Sequence, residues 1–112
     1  KTGELKSEGS SITEGIGQGR ITENIKGMSL DIPFRVNDSE ALNILYDLIE
    51  EEGLFLGLSS GINIAGAKKL AKSLGKDKTI VTILCDSANR YQNKMFNAGF
   101  LEENNLPIPS WL

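Results

Sequence analysis

Leu54-Phe55-Leu56-Gly57-Leu58-Ser59-Ser60-Gly61 is the stretch on which the fold turns. A short apolar run, bounded by Gly53 before it and by Ser-Ser-Gly after it, has the length and punctuation of a buried strand. Ser59 then stands at the strand's carboxyl end, and Ser60 caps a following helix. In that helix Ile64, Ala67, Ala71 and Leu74 form the packed stripe, Lys68, Lys69 and Lys72 face water, Gly66 marks a close contact and Gly75 closes the element. Thr79 to Leu84 is β-branched and aliphatic throughout, the composition of a central parallel strand covered on both faces. Strand, helix and strand make a βαβ unit, so the expected fold class is α/β with parallel sheet elements and flanking helices.

Upstream, residues 1–31 are rich in Gly, Ser and Thr and hold no sustained apolar period, which predicts a loop with a short helical turn around Ile21 to Ile25. A loop of that length draws notice to its densest cluster, Glu14-Gly15-Ile16-Gly17-Gln18-Gly19-Arg20. Its glycine spacing is not a dinucleotide fingerprint, because no strand precedes it and no long helix follows. Alone it reads as a glycine-rich surface loop, and Arg20 can pair with an anionic ligand or, more plainly, with Glu14 or Glu23 on the surface. Pro33 to Val36 alternates as a short strand, and a helix follows in the α/β portion, residues 32–112. Asn37 or Asp38 caps that helix, Glu40 lies in its first turn, Ala41, Leu42, Leu45, Leu48 and Ile49 share a face, and Gly53 ends it. The tail Leu106-Pro107-Ile108-Pro109 cannot be regular helix.

One compact core suits 112 residues, and 39% apolar with 24% charged residues is ordinary globular composition. A net charge of -3, with Lys and Arg scattered, gives no basic stripe and argues against nucleic acid. No apolar run is long enough for a bilayer and no charged-then-apolar leader opens the chain, so no membrane or export role is expected. Cys85 is the single cysteine and histidine is absent, which excludes an internal disulfide and the usual zinc ligand sets. A reducing cytoplasm fits this usage. Asn37-Asp38-Ser39 matches a glycosylation acceptor but reads better as the helix cap. Lys1 opens in polar sequence that looks like the interior of a longer protein.

Ligands of open α/β sheets bind beyond the carboxyl ends of the strands, where helix amino termini converge. That rule selects Ser59-Ser60-Gly61 and Asp86-Ser87, and a right-handed crossover opens both on one side. Each has a plain structural reading as well: serines often cap helices, and Asp-Ser often forms turns. Cys85 reads as a small buried hydrophobe with no neighbour that would activate it.

Ser10-Ser11-Ile12-Thr13-Glu14-Gly15-Ile16-Gly17, Glu51-Glu52-Gly53-Leu54 running into Gly57-Leu58-Ser59-Ser60-Gly61, Thr79 to Ser87, Arg90-Tyr91-Gln92-Asn93-Lys94 and the Pro107 to Leu112 tail occur in one order. Together they resemble the carboxyl-terminal region of cysteine synthases, the O-acetylserine sulfhydrylases among fold-type-II pyridoxal-phosphate enzymes. The resemblance implies pyridoxal 5'-phosphate as cofactor and replacement of the acetate of O-acetylserine by sulfide. It places Ser59 at the pyridine nitrogen, Asp86 and Ser87 beside the pyridine edge, and Gly15 and Gly17 on the substrate side. Where the family often has glycine, this chain has Ala88. The lysine that attaches the cofactor, the Ser/Thr-Ser-Gly-Asn substrate loop and the Gly-Thr-Gly-Gly-Thr phosphate cradle are absent, so no catalytic residue is expected here and the fragment alone should be inactive.

The resemblance also implies a homodimer and a possible complex with serine acetyltransferase. Cystathionine β-synthase, or another fold-type-II lyase, is the alternative enzyme, and a non-catalytic α/β binding module is the alternative of another class.

Overall fold

The computed structural model describes residues 10–14, 16 and 21–112. Its first helix, α1 (Asp38–Glu52), begins where the sequence places it. The Asn37 side chain accepts the Glu40 N–H at 2.8 Å, and the Glu40 carboxylate accepts the Asn37 N–H at 3.0 Å, so two otherwise orphaned donors are satisfied reciprocally. It ends on Gly53, whose φ of 67° is left-handed and whose N–H bonds to the Ile49 carbonyl at 3.2 Å. Ala41, Leu42, Leu45 and Tyr46 are its buried face.

The second helix, α2 (Leu58–Leu74), departs from expectation at its start. Gly57 is the N-cap and makes no side-chain cap bond, so Ser59 and Ser60 lie inside the first turn. Ser60 is no cap because its hydroxyl is engaged elsewhere: it is fully buried and accepts the Cys85 N–H at 3.0 Å. The packed face is also displaced. Leu58, Ser60, Gly61 and Ala65 are buried, whereas Ala71 is exposed and Leu74 is 43% exposed. The deepest packing lies in the first half of the helix; Lys69 still reaches Glu40 of α1 at 2.9 Å, and the stretch from Ala71 on is exposed. Gly75 closes it as expected.

Glycine matters at the helix crossing, but at Gly61 rather than Gly66. A Cβ at Gly61 would stand 2.7 Å from the Ala41 carbonyl oxygen and 2.9 Å from Leu45 Cδ1, while one at Gly66 would meet open space. After Ser87 a 3₁₀ turn (Ala88–Tyr91) leads into α3 (Gln92–Met95) and α4 (Ala98–Glu103). The Asn97 side chain caps α4 by accepting the Phe100 N–H at 3.1 Å. The tail past Pro107 is not helical, and near the helical turn expected around Ile21 to Ile25 residues 23–27 form a hydrogen-bonded turn, with Ile25 and Lys26 both donating to the Thr22 carbonyl at 3.1 Å.

The parallel sheet is not present among the described residues. The one backbone bridge pairs Leu56 with Ser87, and it is antiparallel. Residues 33–36 and 79–84, read as strands, form no strand among the described residues. An extended run becomes a strand only when another backbone accepts its N–H and C=O groups. Val81 and Ile83, 85% and 67% exposed, have no such neighbour here. The described part is therefore helical, with extended connections where the α/β pattern called for strands.

The core gathers Leu42, Leu45, Tyr46, Leu58, Ala88, Met95 and Leu101, with Ile12, Leu56, Tyr91, Phe96 and Leu106 packed against it. Tyr46 is 4% exposed and its hydroxyl donates to the Met95 carbonyl at 2.7 Å. Trp111 comes back from the tail edge-on to Tyr46, with centroids 5.7 Å apart. No helix among the described residues is long and apolar enough to cross a membrane.

Two outcomes follow from this packing. Gly61→Ala should destabilise the fold by about 1–3 kcal/mol through overpacking. Gly66→Ala should be neutral or gain about 0.5 kcal/mol from lost chain entropy, so paired denaturant curves separate the two glycines. Burial raises the Tyr46 phenol from 10.0 to about 12. The folded chain thus keeps a proton that the unfolded chain releases, and stability held below pH 10 falls as pH rises toward 12. The loss should be on the order of 2 kcal/mol, and a Tyr46→Phe variant should show a flatter profile in that range.

Candidate functional site

Two segments far apart in sequence lie side by side: the start of α2 and residues 85–88. The Gly57 N–H donates to the Asp86 carbonyl at 2.8 Å, the Ala88 N–H to the Phe55 carbonyl at 3.3 Å, and the Cys85 N–H to Ser60 Oγ at 3.0 Å. Gly57 and Ser60 are thus both tied to this segment, and Ser59 lies between them in sequence. Ser59 is half-buried as the second residue of α2, not at a strand terminus. Among the described residues its hydroxyl makes no hydrogen bond.

Across from it, Ser87 caps the 3₁₀ turn, its hydroxyl accepting the Asn89 N–H at 3.3 Å. Asp86 is held more elaborately. Its Oδ2 accepts the Tyr91 hydroxyl at 2.6 Å and lies 3.8 Å from the Arg90 guanidinium. Among the described residues its Oδ1 is buried without a hydrogen-bond partner, and it is pressed against Gly57. A Cβ on Gly57 would fall 2.0 Å from that oxygen and 2.8 Å from Tyr91 Cε2, so only glycine fits. The hydrogen bond to Asp86 raises the Tyr91 phenol above its usual range, with burial and the neighbouring negative charge adding to it. Cys85, expected to be a buried hydrophobe, is exposed, its thiol 3.8 Å from the Asn63 amide nitrogen.

The glycine-rich loop is anchored just ahead of its glycines. Asp38 takes the Ser11 hydroxyl at 2.6 Å and the Ile12 N–H at 2.9 Å, while Lys94 donates to the Ile12 carbonyl at 3.0 Å and to Glu14 at 2.7 Å. The Lys94 hydrogen bond and charge hold the Glu14 carboxyl below its usual range. Gly15, Gly17 and Arg20 lie outside the described residues. Glu23, one of the partners expected for Arg20, meets Lys26 at 3.3 Å, and the other, Glu14, meets Lys94.

The sequence pattern of the family described as "Pyridoxal-phosphate dependent enzyme" matches residues 2–86. The chain belongs to that family. It is 46% identical to cysteine synthase 1 of Neurospora crassa over 105 residues, and 45% identical to cysteine synthase 1 of Emericella nidulans over 104. Each match covers 91% of this chain and 28% of the relative. Cystathionine beta-synthase of Dictyostelium discoideum is 35% identical over 98 residues, 88% of this chain and 20% of that protein. The chain therefore spans between a fifth and a third of the length of these relatives.

The residues present fit one edge of the family's cofactor. Pyridoxal phosphate offers a flat ring with a polar nitrogen, and Ser59 brings a half-buried hydroxyl with unused hydrogen-bonding capacity. Its phosphate does not suit the start of α2: the Asp86 carboxylate already lies against Gly57, and like charge disfavours an anion there. Ser59 is thus suited to the ring nitrogen and not to the phosphate. Sequence reasoning missed Gly57, Ser60 and Tyr91 as the parts that join the two segments. A glycine wedged between large apolar residues at Leu56-Gly57-Leu58 was the available signal.

Ser60→Ala should cost about 1 kcal/mol through the lost Cys85 bond. Amide hydrogen exchange at Cys85 should quicken while exchange in the middle of α1 stays as it was.

Proposed function

We propose that this chain is the carboxyl-terminal part of a pyridoxal-phosphate-dependent cysteine synthase. In that reading the whole enzyme exchanges the acetate of O-acetylserine for sulfide and yields cysteine and acetate. The identity of 45–46% to cysteine synthases over 91% of the chain supports it. The observation that carries it is the unengaged Ser59 hydroxyl at the start of α2, beside the segment that holds Asp86 and Ser87.

When bound, pyridoxal phosphate supplies an electron-withdrawing ring that loosens bonds at the amino acid's α and β carbons. Ser59 meets the ring nitrogen with a neutral hydroxyl. A hydroxyl, unlike a carboxylate, does not hold that nitrogen protonated, and the weaker electron sink suits replacement at the β carbon better than transamination. Asp86 and Ser87 belong to the ring's pyridine edge, and Gly15 and Gly17 to the substrate side, where side chains would crowd the amino acid. Thr79 to Leu84 is a strand of a parallel fold-type-II sheet whose neighbours come from the rest of the protein. That reading accounts for the exposure of Val81 and Ile83. A homodimer, a cytoplasmic location and a complex with serine acetyltransferase belong to the same reading. The chain alone, without the motif of the cofactor-attaching lysine, should make no cysteine.

Full-length protein purified from cells should absorb near the edge of the visible, as lysine-bound pyridoxal does. Absence of that band would sink the proposal. Ser59→Ala should shift the band and slow the reaction by about tenfold, while costing no more than about 1 kcal/mol of stability. Turnover of O-acetylserine with sulfide, but not of serine with homocysteine, separates the cysteine synthase from the cystathionine β-synthase reading that the Dictyostelium relative suggests.

A further inference from the structure

Tyr91 is the residue at this site that nothing above assigns to cofactor or substrate. Its hydroxyl ties Asp86 Oδ2 at 2.6 Å, and its ring edge and the buried Asp86 Oδ1 together close over Gly57. Gly57 is the N-cap of α2 and donates to the Asp86 carbonyl at 2.8 Å. Ser59 follows two residues later on the same helical turn. A movement of Asp86 therefore moves the first turn of α2, and with it the direction in which the Ser59 hydroxyl points.

The carboxylate carries a second consequence. Asp86 is the one acid on the segment bonded to both ends of the Gly57–Ser60 turn. With Oδ2 held by Tyr91 and Oδ1 lodged against Gly57, its charge is kept on the glycine side of that turn.

We propose that Tyr91 is a positioning residue: by holding Asp86 against Gly57 it orients Ser59. The inference rests on the pyridoxal-phosphate reading of Ser59. Tyr91 touches neither reacting atoms nor cofactor in this scheme, and Arg90, 3.8 Å from Oδ2 on an exposed side chain, is too distant and too screened to replace it.

A double-mutant cycle in the full-length, cofactor-loaded enzyme tests this, with Tyr91→Phe and Ser59→Ala read by cofactor absorption and by kcat and KM separately. Phe keeps the ring's packing and removes only the hydroxyl. Tyr91→Phe should shift the cofactor band and lower kcat by about three- to tenfold, the range of one hydrogen bond, with KM little changed. In the Ser59→Ala background it should add almost nothing, because both changes act on the same contact. A Tyr91→Phe effect that is equally large in both backgrounds marks a general structural role and overturns the proposal. A band and kcat untouched by Tyr91→Phe, while Ser59→Ala alters both, overturn it as well. If Ser59→Ala itself changes neither band nor kcat, the cofactor reading of Ser59 fails first and the positioning role falls with it.

Discussion

The rest of the structure depends on the junction between the first turn of α2 and residues 85–88. Three bonds close it: Gly57 N–H to the Asp86 carbonyl, Ala88 N–H to the Phe55 carbonyl, and Cys85 N–H to Ser60 Oγ. Ser60 and Ala88 are fully buried at this junction, so an unmade bond there would leave a polar group without water or partner. With it intact, Leu58 from one segment and Ala88 from the other enter the same core as Leu42 and Leu45 of α1. The contact that shapes the candidate site is also the one that carries the carboxyl-terminal third onto the helices.

Around the junction the chain uses small residues to bring backbones close and charged ones to hold loops down. Gly61 lets α2 approach the Ala41 carbonyl, and Gly57 lets Asp86 settle on the helix start. Asp38 and Lys94 grip the N–H and the carbonyl of the same residue, Ile12, from two different elements, while the Ile12 side chain packs on the core. The segment leading to Gly15 is therefore fixed by both polar and apolar contacts. Exposed pairs such as Lys26 with Glu23 contribute far less, because solvent screens them.

Much of this was legible in the residues. Both ends of α1 follow from Asn37, Glu40 and Gly53, since capping is a local matter of a few backbone groups. The meeting of the Ser59 and Asp86 segments was also legible, although through an antiparallel bridge where parallel strands were expected. What could not be read is what depends on partners at long range. Thr79 to Leu84 has strand composition, yet composition supplies no neighbour to bond with. The buried face of α2 was misplaced because a 3.6-residue period fixes spacing but not how much of a helix meets another. Ser60 was taken for a cap, since nothing local reveals that Cys85 lies across from it. The roles of Gly15 and Gly17 rest on resemblance alone.

Trp111 is the chain's one tryptophan, and it lies edge-on to Tyr46 at 5.7 Å and 6.2 Å from Phe96. Light absorbed by the phenol of Tyr46 reaches the indole over so short a path that the two rings act as a matched donor and acceptor. Emission from this single fluorophore consequently reports whether the final residues are folded back on α1, with no label attached.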